Sequence, residues 1–241
     1  MSALPASAWR VLWFFAALFV ITLLLFALSL SGAGPMRSMG YVEDRTPVQL
    51  VVGNDVYDVP INMIRQPSQR VPGLADRVDL IIHWPSRTGF DRKKMTAFAE
   101  TDPARAQTMM LTLGKQRSLL DMPGRFEPVL KKALLANTMT EMTDGLFRAQ
   151  LDPQYGFMHE VLVFSAERDL DGAPIFAARC QLPRESHGGK LLHACETELF
   201  SGLSTAVQAR FPAHMISQWR ALSSDLERFA QYLRVETTPG V

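Results

Sequence analysis

The signatures of the common catalytic and cofactor-binding machines are missing from this sequence. There is no G-x-S-x-G nucleophile turn, no H-E-x-x-H zinc helix, no phosphate-binding P-loop and no G-x-G-x-x-G dinucleotide turn. An excess of charge of either sign is missing too. The 241 residues carry a net charge of +1, and Arg10 is the only charged side chain before Met36, which leaves 24 basic and 24 acidic groups downstream. A domain so balanced lacks the electrostatic term that supplies most nucleic-acid affinity, and it has little to hold an anionic membrane surface by charge alone. Cysteine is scarce, with two residues and no C-x-x-C pair, which removes the thioredoxin-type redox chemistries. Repeats of solenoid or propeller period and low-complexity tracts are also absent.

What the sequence does have is one long apolar run. Residues 11–31 read VLWFFAALFVITLLLFALSLS, without charge or proline. A helix of that length rises roughly 30 Å at about 1.5 Å per residue, which matches the hydrocarbon core of a bilayer. Trp9 and Trp13 sit at one end, where indoles favour the headgroup layer, and Gly32, Gly34 and Pro35 end the helix. A cleaved signal peptide is the competing reading, with Ser31 and Ala33 as the small residues at a cleavage site. Its apolar region is ordinarily shorter and its start more basic, so an uncleaved transmembrane anchor is expected. No G-x-x-x-G marks a helix–helix interface within it. Orientation is barely constrained by charge, with Arg10 on one side and Arg37 and Arg45 on the other.

The cysteines bear on orientation more strongly. Cys180 and Cys195 lie in two strand-like stretches, Ile175–Leu182 and Leu191–Phe200, joined by a loop rich in proline, glycine and charge. Two antiparallel strands would bring them to disulfide distance, and disulfides persist in oxidising compartments, which argues for export of the domain. Two alternatives stay open: a pair of free thiols, or a metal site built from Cys180, His187, His193 and Cys195. The spacings of the latter do not fit compact zinc motifs.

The rest of the chain reads as mixed strand and helix. Residues 48–60 form two β-rich runs around Gly53-Asn54-Asp55, a hairpin signal. Strands are expected at Arg77–Trp84, Thr108–Lys115, Gly145–Leu151, Phe157–Ala166 and Thr205–Phe211, in addition to the two cysteine-bearing stretches. Residues 86–106 read as loop with a short helix near Lys93–Phe98. Helical spacing appears twice. Phe126, Val129, Leu130, Ala133 and Leu134 suggest an amphipathic helix over Pro123–Ala136, weakened by Gly124 and Pro128. Met215, Ile216, Trp219, Leu222, Leu226, Phe229 and Leu233 form a longer stripe, with Arg220, Asp225, Glu227 and Arg228 opposite or flanking it. The expected fold is α+β: an N-terminal transmembrane helix followed by one globular domain with a mainly antiparallel sheet and a C-terminal amphipathic helix. The expected division is a tail at 1–10, the anchor at 11–31, a linker at 32–46, the domain at 47–236 and a tail at 237–241.

Two pairs of residues are worth testing for catalysis. Asp79 and His83 would share one face of a strand and could act as acid and base; His159 and Glu160 could do the same. The plainer reading is a polar strand face for the first pair and a histidine hydrogen-bonded at a core margin for the second. Asp152, Asp169 and Asp171 sit in turns and lack the alternating oxygen ligands of calcium loops, so turn capping accounts for them. No cofactor or metal is expected. The plan of one anchor and an exported α+β domain with a cysteine pair resembles that of bitopic inner-membrane proteins of Gram-negative bacteria. That likeness implies an inner-membrane anchor with the C-terminal domain in the periplasm, and it brings no site residues with it. The expected function is non-enzymatic: a tethered domain that binds another envelope protein, with the membrane and that protein as its partners. An immunity-type binder that neutralises a toxin in the periplasm would be a special case. The alternatives are an envelope hydrolase using Asp79/His83 or His159/Glu160, and a metal sensor using the Cys180–Cys195 loop.

Overall fold

The computed structural model describes residues 6–30, 40–182 and 194–235, with the side chains of the first segment placed at Trp9 and over 13–27. The chain divides into two compact units, Met1–Tyr41 and Val42–Val241. The first contains helix α1 (Ala6–Leu30), whose backbone is helical over 25 residues. Its apolar side chains are exposed, Trp13 by 67 %, Phe19 by 65 % and Leu25 by 63 %. The Thr22 hydroxyl donates to the Leu18 carbonyl at 2.8 Å, so this polar side chain is satisfied within the helix. Among the described residues no helix is long and apolar enough to cross a membrane. The anchor expected at 11–31 therefore remains a proposal.

The second unit is α+β, with a mainly antiparallel arrangement and a C-terminal helix. Strands β1 (Pro47–Val52) and β2 (Asp55–Pro60) form the expected hairpin. They do not join the main sheet: with β3 (Gly73–Ala75), which pairs parallel to β1, they make a separate three-stranded sheet. The main sheet has eight antiparallel strands in the order β4-β5-β11-β10-β9-β8-β7-β6. These are β4 (Arg77–His83), β5 (Thr108–Lys115), β6 (Thr140–Glu141), β7 (Leu146–Gln150), β8 (Glu160–Ser165), β9 (Ala177–Gln181), β10 (Ala194–Ser201) and β11 (Thr205–Pro212). A short helix α2 (Met95–Ala99) follows a 3₁₀ turn at Arg92–Lys94, where the Asp91 carboxylate accepts the Lys93 N–H.

Alternation along the strands decides which face is covered. Val78, Leu80 and Ile82 of β4, Leu111 and Leu113 of β5, Val207 and Phe211 of β11 and Cys195 of β10 all point into one core. The small sheet closes part of that face with Leu50, Val52, Tyr57 and Val59, and helix α3 (Trp219–Leu233) closes the rest with Trp219, Leu222, Leu226, Phe229 and Leu233. Each leucine taken wholly out of water adds roughly 2 kcal/mol, so this face dominates the stabilisation. The turn before α3 is 3₁₀ from Ala213 to Gln218, and Pro212 precedes it.

A second, smaller cluster lies on the other face at the β7–β8–β9 end. There Phe126, Leu130 and Ala133 cover Leu162, Phe164 and Ala177. The covering segment is where the expected helix at Pro123–Ala136 is corrected. The chain makes a wide five-residue turn at Phe126–Leu130 and a 3₁₀ turn at Lys131–Ala133. The Val129 and Leu130 N–H groups both donate to the Arg125 carbonyl, because Pro128 has no N–H to continue a regular ladder. The stripe still buries Phe126, Leu130 and Ala133, while Val129 is exposed by 48 %.

Two further expectations change. Asp225 is on the inner side of α3, its side chain 7 % exposed, held by ion pairs to Arg87 and Arg228. A carboxylate that reaches two guanidinium groups can be buried where sequence periodicity would place it outside. His159 does not lie in a strand at a core margin. It is exposed, its backbone is in the left-handed region at φ 56°, and β8 begins only at Glu160.

Candidate functional site

Between the 122–135 segment and the turn around Gln66–Arg70, the outward face of the main sheet carries a row of polar side chains. Each is delivered by strand alternation: Glu160 by β8, Arg179 by β9, Glu196 by β10, Gln208 and Arg210 by β11, Thr112 by β5, and Arg77 and Asp79 by β4. The pairing registers put them side by side. Arg179 faces Glu196 across β9–β10, Glu196 faces Arg210 across β10–β11, and Asp79 faces Thr112 across β4–β5.

The row is held by charge-assisted bonds. Arg179 donates to Glu160 at 3.4 Å and to Glu196 at 3.0 Å. Glu196 also accepts from Gln208 at 2.8 Å and from Arg210 at 2.9 Å. With its side chain 15 % exposed, Glu196 is the centre of the ladder. Burial acts to raise its pKa, but the hydrogen bonds from Arg210 and Gln208 and the charge of Arg179 outweigh it, and the carboxyl is held below its ordinary value. Arg179 also lies over the ring of Phe157, 5.7 Å from its centre.

Asp79 is held in the same way at the other end of the row. It accepts from Arg77 at 2.8 Å, from Thr112 at 2.9 Å and from Gln69 at 3.4 Å, while its own N–H donates to the Gln69 side chain at 2.9 Å. Burial raises its pKa and these donors lower it, with a net lowering. His83 shares its strand face, as alternation requires, but its ring nitrogens meet Ser86 at 2.8 Å and Gln107 at 3.3 Å. Nor do His159 and Glu160 converge: the first is exposed before the strand, the second belongs to the ladder. An acid and a base serve catalysis when both reach one reacting atom, and the structure brings neither pair together in that way.

The cysteines are joined. Cys180 and Cys195 stand directly opposite on β9 and β10, with an S–S distance of 2.07 Å, and both are buried. The disulfide takes the two sulfurs that the metal reading needed. His187 and His193, its other members, lie outside the described residues. Among the described residues no group of three or more His, Cys, Asp and Glu is placed to hold a metal ion.

With this geometry established, known proteins offer one useful comparison. The chain superposes on an immunity protein of the Stenotrophomonas maltophilia type IV secretion system with a TM-score of 0.51, over 80 % of this chain and 94 % of that one, at 13 % identity. The likeness is one of fold. An iron-regulated outer membrane lipoprotein of Neisseria meningitidis aligns over 79 % of this chain and 95 % of its own, with a TM-score of 0.45 and 9 % identity. No family model and no curated protein sequence matches the chain.

Sequence reasoning did not find Arg179, Glu196, Gln208 and Arg210. A signal was present: polar residues recur at period two in A-C-E-T-E of β10 and in V-Q-A-R of β11. What they face depends on strand register, and β9, β10 and β11 are matched by long-range pairing that spacing alone does not specify.

Proposed function

We propose that this chain is a membrane-anchored envelope protein whose α+β domain binds another envelope protein and carries out no chemistry of its own. The observation that carries this reading is the state of the candidate catalytic groups. Asp79 and Glu160 are committed to arginines of their own sheet face, and each histidine is separated from its presumed partner. Bonded in this way, the two carboxylates stiffen the sheet face and are not free to serve as acid or base.

Three further observations support it. The Cys180–Cys195 disulfide suits an oxidising compartment such as the periplasm. The run at 11–31 is uncharged and of bilayer length, and the described side chains of α1, Trp9 and 13–27, are exposed, which supports a signal anchor at 11–31 in the inner membrane. The fold is shared with an immunity protein of a bacterial secretion system. Neutralising a secreted toxin is therefore the form of protein binding that we favour. A tether confines the domain to the membrane surface and raises its effective concentration toward anything arriving there.

The test is co-purification of the full chain in mild detergent after cross-linking in cells. A single envelope or toxin protein recovered in a constant ratio is expected, and repeated recovery of the protein alone would overturn the reading. A C-terminal alkaline phosphatase fusion tests the topology: it should be active, and an inactive fusion would place the domain on the cytoplasmic side.

A further inference from the structure

Among the described residues, strands β9 and β10 pair over two residue pairs, Cys180 with Cys195 and Arg179 with Glu196. Beyond them the strands part. The Thr197 hydroxyl still reaches the Ala177 carbonyl at 2.7 Å, and then the chain at Met122 takes the place of β9, its N–H donating to Glu198 O at 3.1 Å. The disulfide pins the closed end of this fork. The open end leaves a groove between β10, the 169–175 loop and α3.

Two adjoining hollows of about 500 and 410 Å³ make up the groove and share Asp121, Leu199 and Glu227 as walls. Both volumes fall in the range of formed binding clefts, about 300–1,000 Å³. The floor is partly apolar, with Leu199, Phe200, Ile175, Leu226 and Ala230. Asp121, Asp169, Asp171 and Glu227 line it as well, and among the described residues no lysine or arginine pairs with any of these four carboxylates, although Arg125 donates to the Asp121 carbonyl and the Asp121 and Asp169 carboxylates accept backbone N–H groups of their own turns. Glu198, the other acidic wall residue, is paired with Arg125 at 2.6 Å, and Arg234 stands at the far end. On a chain of net charge +1 this is a local concentration of negative charge. The carboxylates are not grouped to hold a metal ion. Carboxylates spaced along a trough with apolar patches match a polypeptide that presents lysine or arginine at intervals with apolar side chains between them.

We propose that this groove receives a basic, partly apolar segment of the protein partner. The proposal rests on the protein-binding reading above and names the surface and the chemistry of what binds there. Asp171 and Glu227, both exposed, steer the segment's cations, and Ile175 and Leu199 take its apolar side chains. The charge-ladder face of the sheet is left free in the complex.

Photo-cross-linking of the full chain in cells tests this. p-Benzoylphenylalanine is placed at Ile175 in the groove or at Gln66 on the charge-ladder face, and cross-linked peptides are identified by mass spectrometry. Adducts are expected from position 175 and not from 66, on a segment with net positive charge. The double variant Asp171→Lys, Glu227→Lys should lower the yield by about tenfold while its melting temperature stays within about 2 °C of the parent, because both side chains are exposed. Adducts from 66 alone, an acidic segment at 175, or a yield indifferent to the charge reversal would each overturn the groove while leaving protein binding standing. Absence of adducts at both positions, together with purification of the protein alone, would overturn both.

Discussion

The carboxylate of Asp55 accepts the backbone N–H of Ser204 at 2.9 Å, joining residues 149 apart in the sequence. The same carboxylate takes the N–H of Leu203 at 3.0 Å and the hydroxyl of Thr205 at 3.0 Å. The Ser204 hydroxyl in turn accepts the Asn54 N–H at 2.7 Å. The hairpin turn of the small sheet and the β10–β11 turn of the main sheet are thus clasped through one buried side chain. Replacing Asp55 by Ala strands these donors where water reaches them poorly. A loss of about 3 kcal/mol is expected, with Asp55→Asn intermediate. Thermal unfolding measures it; a change under about 0.5 kcal/mol, the scale of an ordinary surface substitution, would remove the clasp as a structural element.

Gly202 completes the clasp from the other side. Its φ is +76°, a conformation side chains disfavour, and a Cβ placed there would overlap the Asp55 carboxylate. Gly202→Ala should therefore destabilise the domain by about 2 kcal/mol or more. In the Asp55→Ala background the steric part of that loss should disappear, so a double-mutant cycle reads the overlap directly. Additive losses in the cycle would show that the two residues do not meet.

Acid should weaken the domain through Asp55, Asp79 and Glu196. Burial raises the pKa of each, and hydrogen bonds outweigh it: from Leu203 and Ser204 for Asp55, from Arg77 and Thr112 for Asp79, and from Arg210 and Gln208 for Glu196. A carboxyl whose pKa is lower in the folded state is protonated first in the unfolded chain as pH falls. Its stabilisation is complete above the unfolded values, near 4, and is lost as pH drops through the folded ones. The melting temperature should hold steady near neutrality and fall below about pH 4, and Glu196→Gln should make that fall shallower. A melting temperature that rises on acidification is the contrary result.

Removing the disulfide should cost stability without changing the fold. The bond closes a loop with a sequence separation of 15, worth about 3 kcal/mol in the chain-entropy account. Chemical unfolding of Cys180→Ser, Cys195→Ser against the oxidised protein measures the difference. In the same experiment Asp171→Lys, Glu227→Lys should leave unfolding unchanged, and a large effect there would mean the groove carboxylates act in folding.

Much of the domain was legible from local pattern. The strand at Thr108–Lys115 is found with the bounds that alternation predicts, and the hairpin at Gly53-Asn54 forms as its turn residues require. β8 is buried on both faces, as its doubled apolar pattern implies. Legibility ended where a long-range partner decides. Asp225 reads as a surface residue until Arg87, 138 positions away, reaches it. Pro123–Ala136 has helical spacing, yet Pro128 removes a donor and the Phe164 surface accepts Phe126 and Leu130 from an irregular turn equally well.

By itself the sequence determined the apolar run at 11–31, the strand segments, the amphipathic C-terminal helix and the likelihood that two cysteines on neighbouring strands would meet. These follow from periodicity and composition, which depend on near neighbours in the chain. Only the tertiary structure decided that β1 and β2 leave the main sheet, that Glu160, Arg179, Glu196 and Arg210 stand in one ladder, and that β9 and β10 part to open an acidic groove. Those outcomes depend on strand register and on charges brought together from up to 50 residues apart in the ladder and 106 in the groove. The energy of such contacts exists only once the chain is folded, so no local pattern records it.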